Sequence, residues 1–326
     1  MQEDQRSPAR EPDAQYETMI SETMEEELHR MGASSDMIDC YKESREMPMP
    51  GNLDRSVRVR ALRCMFKMLV DTLGEGACFQ AALLLDRVTA SNSFRLEQLP
   101  LTCVCLTRLM LKCAFGMAMV PGEDSPSMSW IKDFATWLTA TQNLVTSEGS
   151  TMSRHELALH ELRLLKALDC QVELPCAEKW CLLYFTRFGH LGREFQAPVQ
   201  QMQAKALLSA RAVVMCFPAS PMLSHGKLAA GLFSLSFVYS GLLPMASLQP
   251  SNMDASEWSA LFAAITPNEL PACRLPHSVT KRLMDLICLT MKEEPDDIRA
   301  WTKQVLETLG ETCRQVREEE DGARNS

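Results

Sequence analysis

A helix predicted over residues 99–112 has apolar side chains on nearly every side. The segment reads LPLTCVCLTRLMLK, and its two charges, Arg108 and Lys112, come at the end, one turn apart on one face. A helix that is apolar all round lies among other helices rather than on a surface. The neighbouring segments are amphipathic and of ordinary helical length. The pattern therefore predicts a compact all-helical domain built around a central helix.

Apolar residues recur at helical spacing along the chain, and no strand-like alternation accompanies them. The predicted helices span residues 54–73, 77–90, 96–115, 129–145, 153–168, 176–188, 199–217, 226–242, 256–265 and 277–291, with a charged helix from about 296. Pro175 separates about five of these helices from about five more. This arrangement predicts an all-α protein with a duplicated helical unit.

Charge is unevenly distributed, because residues 1–50 hold 13 acidic and 5 basic side chains while the whole chain has a net charge of −9. Residues 1–14 have the composition of a disordered segment. Residues 16–31 then place apolar side chains along one side of an acidic helix. We therefore divide the chain into an acidic extension at 1–50, helical domains at 51–173 and 174–292, and a charged tail helix at 293–326.

Composition argues against several classes of protein. Hydrophobic residues make up 46% of the chain and charged residues 23%, which is typical of a folded soluble protein. Thirteen cysteines without a Cys-x-x-Cys pair indicate buried thiols in a reducing compartment, the nucleus or the cytoplasm. The apolar run at 228–243 is short for a bilayer and is interrupted by serines. We therefore expect no membrane span, and since no basic stripe is visible we expect no nucleic-acid partner. The N-terminus is acidic and polar, so we also expect no signal peptide.

One carboxylate breaks the amphipathic pattern of the 153–168 helix. At about 100° per residue, Glu161 falls between Leu165 and Leu168 in the middle of the apolar face. A carboxylate there is costly unless it is paired or hydrogen-bonded. Glu161 therefore either lies at the rim of an imperfect face or has a functional partner. Lys112 also has an ordinary interpretation, as a lysine that complements the dipole at a helix C-terminus.

No catalytic or metal-binding arrangement emerges from the sequence. His155-Glu156 begins like a zinc-protease helix, but the second histidine is His160, five residues on, so the two rings point apart. The sequence has no glycine-rich phosphate loop followed by lysine and no serine or cysteine in a nucleophile elbow. We therefore expect a protein that is not an enzyme, with no catalytic residues, no metal, no cofactor and no small-molecule substrate.

Several motifs resemble those of the cyclin family. Leu84-Leu85-Asp86-Arg87 looks like the family's leucine-aspartate-arginine signature. From there to Lys112 the spacing matches without a gap, with Leu99-Pro100-Leu101 where cyclins usually have Leu-Gln-Leu. Glu161 then falls on the family's glutamate. The remaining matches, at the family's spacing, are Lys166, Leu168 and Pro175.

The resemblance, which covers about residues 57–190, implies two tandem cyclin folds, each a bundle of about five helices around a central helix. It also implies that Lys112 and Glu161 hydrogen-bond a cyclin-dependent protein kinase near its C helix. Cys113 and Phe115 belong to the adjoining contact, where the family usually has an aromatic residue followed by acids. The partners of Glu161 then lie partly on the kinase, which leaves an unpaired carboxylate in the free chain.

The resemblance also implies an ion pair inside the first domain. In cyclins the signature aspartate, here Asp86, pairs with an arginine of the first helix. Arg60 lies in the segment that looks closest to the family, whereas Arg58 keeps the apolar side of the helix inward, so periodicity favours Arg58. Ser7 is a possible phosphorylation site, because Ser7-Pro8-Ala9-Arg10 fits the proline-directed preference of these kinases.

These features predict a cyclin-like regulatory subunit that binds and activates a cyclin-dependent kinase and performs no chemistry itself. The alternative is a cyclin-fold scaffold that binds other proteins without activating a kinase. Another relative of this fold binds promoter DNA, but the net charge of −9 argues against that function.

Overall fold

The computed structural model describes residues 53–90, 94–115, 154–173, 175–192, 195–217, 223–266 and 270–324. Within these ranges it contains ten α-helices and no β-strand, so the prediction of an all-α protein is confirmed for this part of the chain. The helices are α1 (Arg55–Leu73), α2 (Ala77–Ala90), α3 (Leu99–Phe115), α4 (Arg154–Ala167), α5 (Ala177–Leu191), α6 (Gln196–Cys216), α7 (His225–Tyr239), α8 (Ala255–Ile265), α9 (His277–Met291) and α10 (Pro295–Arg324).

Each helix predicted for these ranges is present, with ends that differ from the prediction by at most three residues. The central helix α3 begins at Leu99, after a 3-10 turn at Leu96–Gln98, because Pro100 lacks an N–H and fits the first turn of a helix. A second 3-10 turn, Met245–Leu248, has no counterpart in the prediction. The predicted helices at 16–31 and 129–145 lie outside the described residues.

Helices α1, α2 and α4 pack around α3, as its all-round apolar sequence predicts. Seven of the apolar side chains of α3 are buried. These seven are Leu99, Cys103, Val104, Cys105, Leu106, Leu109 and Met110. Local signals set the ends of α1: the Asp54 carboxylate accepts from the N–H groups of Ser56 and Val57, and Gly74 ends the helix with a φ of 78°.

Helix α7 is the most enclosed element of the second half, with 13 of its 15 residues buried. It packs against α5, α6 and α10. Phe233 and Phe237 of α7 stack edge-on against Phe188 of α5, with ring centroids 5.8 Å and 4.8 Å apart. Gly231 lets α10 approach closely, since a Cβ there would lie 2.6 Å from a methyl carbon of Val305.

The charged C-terminal helix α10 is part of this core. Its apolar side packs on α7 and α8, and Ile298, Val305, Leu306 and Leu309 are all buried. Its many charges occupy the other side, as amphipathic periodicity requires. The tail helix predicted at 293–326 therefore contributes to the folded body.

Helix α6 connects the two halves of the molecule. It contacts α1 and α2 of the first half as well as α5, α7 and α10 of the second. The buried apolar residues of both halves belong to one continuous cluster. The C-terminal end of α6 consequently lies against α1, where its last carbonyl groups need partners.

Candidate functional site

Arg108 and Lys112 lie one turn apart near the C-terminal end of α3, on the side that faces α4. Glu161 lies on α4, and only 7% of the residue is exposed. Arg108 Nε donates to Glu161 Oε1 at 2.7 Å, and Lys112 Nζ donates to Glu161 Oε2. One buried carboxylate is thus held between two cations from the neighbouring helix. We call these three residues the open cluster.

The pairing corrects one prediction about Glu161. The free chain does not hold an unpaired carboxylate, because both oxygens of Glu161 bond to cations of α3. Glu161→Ala is therefore not expected to stabilise the protein, since it would leave two cations without their anion. Periodicity placed Glu161 on the inner face of α4, but it could not show that α3 presents two cations opposite it.

The open cluster is accessible to solvent on the α3 side. The side chains of Arg108 and Lys112 are 17% and 19% exposed, compared with 9% for Glu161. Lys112 has three N–H donors, and the described contacts use one of them, for Glu161. Such an arrangement can bond polar main-chain groups of a second protein, with Glu161 held in place by the cations that flank it.

A second polar contact holds α4 against α3 beside the cluster. The buried His160 places Nε2 3.2 Å from Thr102 Oγ1. Burial, together with the nearby Arg163 guanidinium, lowers the pKa of the His160 imidazole. The neutral ring is therefore favoured at physiological pH, and His160 serves as a fixed hydrogen-bonding group next to Glu161.

The two other residues predicted for the kinase contact stand at the end of α3. Cys113 is exposed and directly follows Lys112. Phe115 is the last residue of the helix, but its side chain lies outside the described part of the structure. Ser7, the possible phosphorylation site, also lies outside it.

Asp86 forms a pair of a different kind, buried between α1 and α2. Arg58 Nε and Nη2 donate to the two Asp86 oxygens at 2.6 Å and 2.8 Å. The same guanidinium donates to the carbonyl oxygens of Val214 and Met215, at 2.9 Å and 3.1 Å. Arg58 thus satisfies two of the carbonyls that the C-terminal end of α6 leaves without helical partners.

Arg58, and not Arg60, is the arginine that meets Asp86, as periodicity favours. Arg60 points along its own helix and donates through Nε to the carbonyl oxygen of Ser56 at 3.2 Å. Arg58 is 1% exposed and Asp86 2% exposed. The pair is therefore a structural anchor between α1, α2 and the end of α6.

A buried histidine that sequence reasoning missed lies close enough to this anchor for the charge of Arg58 to act on it. His225 is buried at the start of α7, and its Nδ1 accepts from the N–H of Ala177 at the start of α5, at 3.2 Å. Burial, with a smaller contribution from the positive charge of Arg58, lowers the pKa of His225 to about 4. The ring is thus neutral at physiological pH. We call Arg58, Asp86 and His225 the sealed cluster.

Comparisons of the chain with protein-family models, with curated proteins and with solved structures found no match. Within the described ranges, no helix is long and apolar enough to cross a membrane. The same ranges contain no group of three or more His, Cys, Asp or Glu side chains that could hold a metal ion. Function is therefore inferred from the residues of the chain and from their arrangement.

Proposed function

We propose that this chain is a cyclin-like regulatory subunit that binds and activates a cyclin-dependent protein kinase. The observation that carries the proposal is the meeting of Lys112 and Glu161. The resemblance assigns both positions to the kinase contact. They are 49 residues apart in sequence, yet their charged groups are in contact at the edge of α3. The Arg58–Asp86 pair supports the same family, because the resemblance implies an ion pair between Asp86 and an arginine of the first helix.

The proposal includes two tandem cyclin folds, at 51–173 and 174–292, followed by the helix at 293–326. The helix order on each side of Pro175 supports this division, as does the central position of α3 in the first half and α7 in the second. A partner of this kind places the protein in the nucleus, the cytoplasm or both.

Activation would follow from binding one conformation of the kinase in preference to another. A protein kinase is inactive while its C helix is swung outward, because its catalytic lysine–glutamate pair is then broken. A subunit that binds only the inward state shifts the population of kinase molecules towards it. In this proposal Lys112 donates to main-chain carbonyl groups near that helix, and Glu161 accepts from a main-chain N–H.

The test uses full-length protein with the double substitution Lys112→Ala/Glu161→Ala, assayed by pull-down and kinase activity against a panel of cyclin-dependent kinases. Charge-assisted bonds contribute roughly 1.5–3 kcal/mol each, so the double variant should bind about two to four powers of ten more weakly. The matched control is Lys303→Ala/Glu307→Ala, which removes a lysine–glutamate pair with a separation of 3.8 Å on α10.

The control should bind and activate like the wild type, and circular dichroism should show that both variants remain folded. If a folded Lys112→Ala/Glu161→Ala protein activates a kinase as well as the wild type does, these residues are not the contact. If the folded wild type binds no kinase of the panel, the scaffold function becomes the better proposal.

A further inference from the structure

The side of α4 that faces away from α3 carries an unusual number of apolar groups. Ala158, Leu159 and Leu162 are exposed, and Leu165 is half-buried beside them. The two exposed leucines are 41% and 48% accessible, whereas the leucines on the inner side of α4 are buried. At about 100° per residue these four side chains form one strip along the helix, which we call the α4 outer face. An exposed apolar strip of this kind is typical of a protein-binding surface.

Cations border the α4 outer face on both sides. Arg108 and Lys112 of the open cluster lie beyond Leu165, on the side towards α3. Arg163 is exposed on the opposite side of the strip, beyond Leu159, and Lys166 is exposed at the C-terminal end of the strip, one turn after Leu162. An apolar strip with cations on both sides and at one end matches an amphipathic helix whose apolar stripe is flanked by acids.

The chain itself contains a segment with this chemistry. At about 100° per residue, Ile20, Met24, Leu28 and Met31 fall within one narrow stripe of the helix predicted at 16–31. The same segment contains five glutamates and a single arginine, and Glu25 and Glu27 fall on opposite sides of the stripe. We propose that residues 16–31 dock as an acidic amphipathic helix on the α4 outer face of the same chain.

The connecting chain is long enough for this contact. Residues 32–53 provide 22 residues, which span up to about 70 Å when extended. A compact body of the size formed by residues 53–326 has a diameter of about 50 Å. The path over the surface to the opposite side of such a body is about 80 Å, so the segment can reach most of the surface. Because α1 and α4 both pack on α3, the α4 outer face lies in the same half of the molecule as Leu53 and is within reach. Tethering gives the segment a high effective concentration there.

Docking at this face has a consequence for the open cluster. Lys112 and Glu161 lie along the edge of the α4 outer face, so a helix bound there would cover them. A kinase would have to displace residues 16–31, which makes the segment an autoinhibitory element. This consequence rests on the proposed kinase-binding function, whereas docking itself is measured without any kinase.

The experiment is hydrogen–deuterium exchange on the full-length protein, read out over residues 16–31. Leu162→Asp places a negative charge at the centre of the α4 outer face. Exchange over 16–31 should then become at least about tenfold faster, as expected for a short helix released from its packing surface. In the reverse direction, Met24→Asp should speed exchange over α4 while leaving α7 unchanged.

Two matched controls separate this site from others. Leu208→Asp makes the same substitution at an exposed leucine of α6. Leu208 is 60% accessible, and its replacement should leave exchange over residues 16–31 unchanged. Arg63→Glu/Lys67→Glu reverses two exposed cations on α1 and should also leave it unchanged. That variant tests for attraction between an acidic segment and any basic surface.

Three results would overturn the proposal. In the first, residues 16–31 exchange as fast as an unstructured peptide in the wild type, or stay protected in Leu162→Asp. In the second, a control variant speeds exchange over residues 16–31, which would mean that the segment binds another surface. Alternatively, Leu162→Asp speeds exchange over residues 116–153 instead, which would mean that those residues occupy the α4 outer face. In the third, protection disappears on dilution, which would assign the contact to a second copy of the chain. Retained protection at all protein concentrations, lost only in Leu162→Asp and Met24→Asp, supports docking within one chain.

Discussion

The sealed and open clusters each hold a carboxylate against arginine, yet they differ in access to water. In the sealed cluster the side chains of Arg58 and Asp86 are 1% and 3% exposed, and the guanidinium is bonded on several sides by groups of the chain. In the open cluster Arg108 and Lys112 remain accessible at one edge. The same pairing chemistry therefore occurs in two environments, one closed to solvent and one open to it at one edge.

The difference has an energetic basis. A charge without access to water depends entirely on its partners, so losing one partner of a buried pair is severely destabilising. A charge at the edge of a cluster can turn towards water when its partner is lost, and the same freedom lets it bond a second protein. The sealed cluster therefore contributes to stability, whereas binding is the role that the proposed function gives to the open cluster.

The largest expected effect comes from removing the carboxylate of each cluster in turn. Asp86→Ala should lower the free energy of unfolding by about 3–5 kcal/mol, because Arg58 would remain buried without its anion. Glu161→Ala should cost less, roughly 1–2 kcal/mol, because both cations can reach solvent. Denaturant unfolding of both variants checks this. Equal losses would show that the two clusters do not differ in the way proposed.

Acid should affect the sealed cluster through His225. The folded-state pKa of about 4 lies below the ordinary value of 6.5, so the unfolded chain binds more protons between these pH values. Stability from this group is therefore present above pH 6.5 and is lost as pH falls towards 4, by on the order of 3 kcal/mol. The lowered pKa of His160 acts in the same direction.

His225→Asn isolates this contribution, because the asparagine carbonyl can still accept from the Ala177 N–H but does not titrate. The unfolding free energy of both proteins is measured from pH 7 to 4. As the pH falls, the wild type should lose stability relative to the variant, because only the wild type has an imidazole to protonate at this position. A difference in stability between the two proteins that stays constant over this range would show that His225 is not responsible for the acid sensitivity.

Periodicity predicted the helices and part of each cluster, and the resemblance added Asp86 and the pairing of Lys112 with Glu161 in one contact. Apolar spacing found each described helix, chose Arg58 over Arg60 and placed Glu161 on an inner face. It could not identify the groups that meet across helices. Arg108 was visible as the cation one turn before Lys112, but only the packing of α4 on α3 gives it an anion.

The sealed cluster shows a second reason why some contacts could not be predicted from the sequence: their partners are main-chain groups. Arg58 bonds the carbonyl groups of Val214 and Met215. Every residue has a main-chain carbonyl, so the sequence does not show which of them accepts a hydrogen bond. His225 likewise accepts from a main-chain N–H at a helix start 48 residues away. Contacts of this kind depend on where helix ends meet, which helical periodicity does not specify.

Replacing the arginine of each cluster by lysine should also cost more in the sealed cluster than in the open one, with a smaller difference in unfolding free energy than for the carboxylate variants. Lysine is a point charge and cannot reproduce the bidentate contact of Arg58 with Asp86 together with two bonds to carbonyl groups. Arg58→Lys should therefore cost about 2 kcal/mol of unfolding free energy, since roughly two hydrogen bonds are lost. Arg108→Lys should cost less than about 1 kcal/mol, because a lysine at this edge can still reach Glu161. Thermal unfolding in parallel measures both, and the reverse order of cost would contradict the distinction.

The smallest expected effect concerns Arg60, which lies half a turn from Arg58 in sequence but in a different environment. Its side chain is partly exposed and bonds the Ser56 carbonyl oxygen of its own helix, one turn earlier. Arg60→Ala should therefore change the free energy of unfolding by no more than about 0.5 kcal/mol, as is usual for a surface substitution. Arg58→Ala, measured beside it, should reproduce most of the loss caused by Asp86→Ala. In a double-mutant cycle Asp86 should couple strongly to Arg58 and not to Arg60. Coupling of Asp86 to Arg60 instead would move the buried pair by two residues along α1 and remove the anchor at the end of α6.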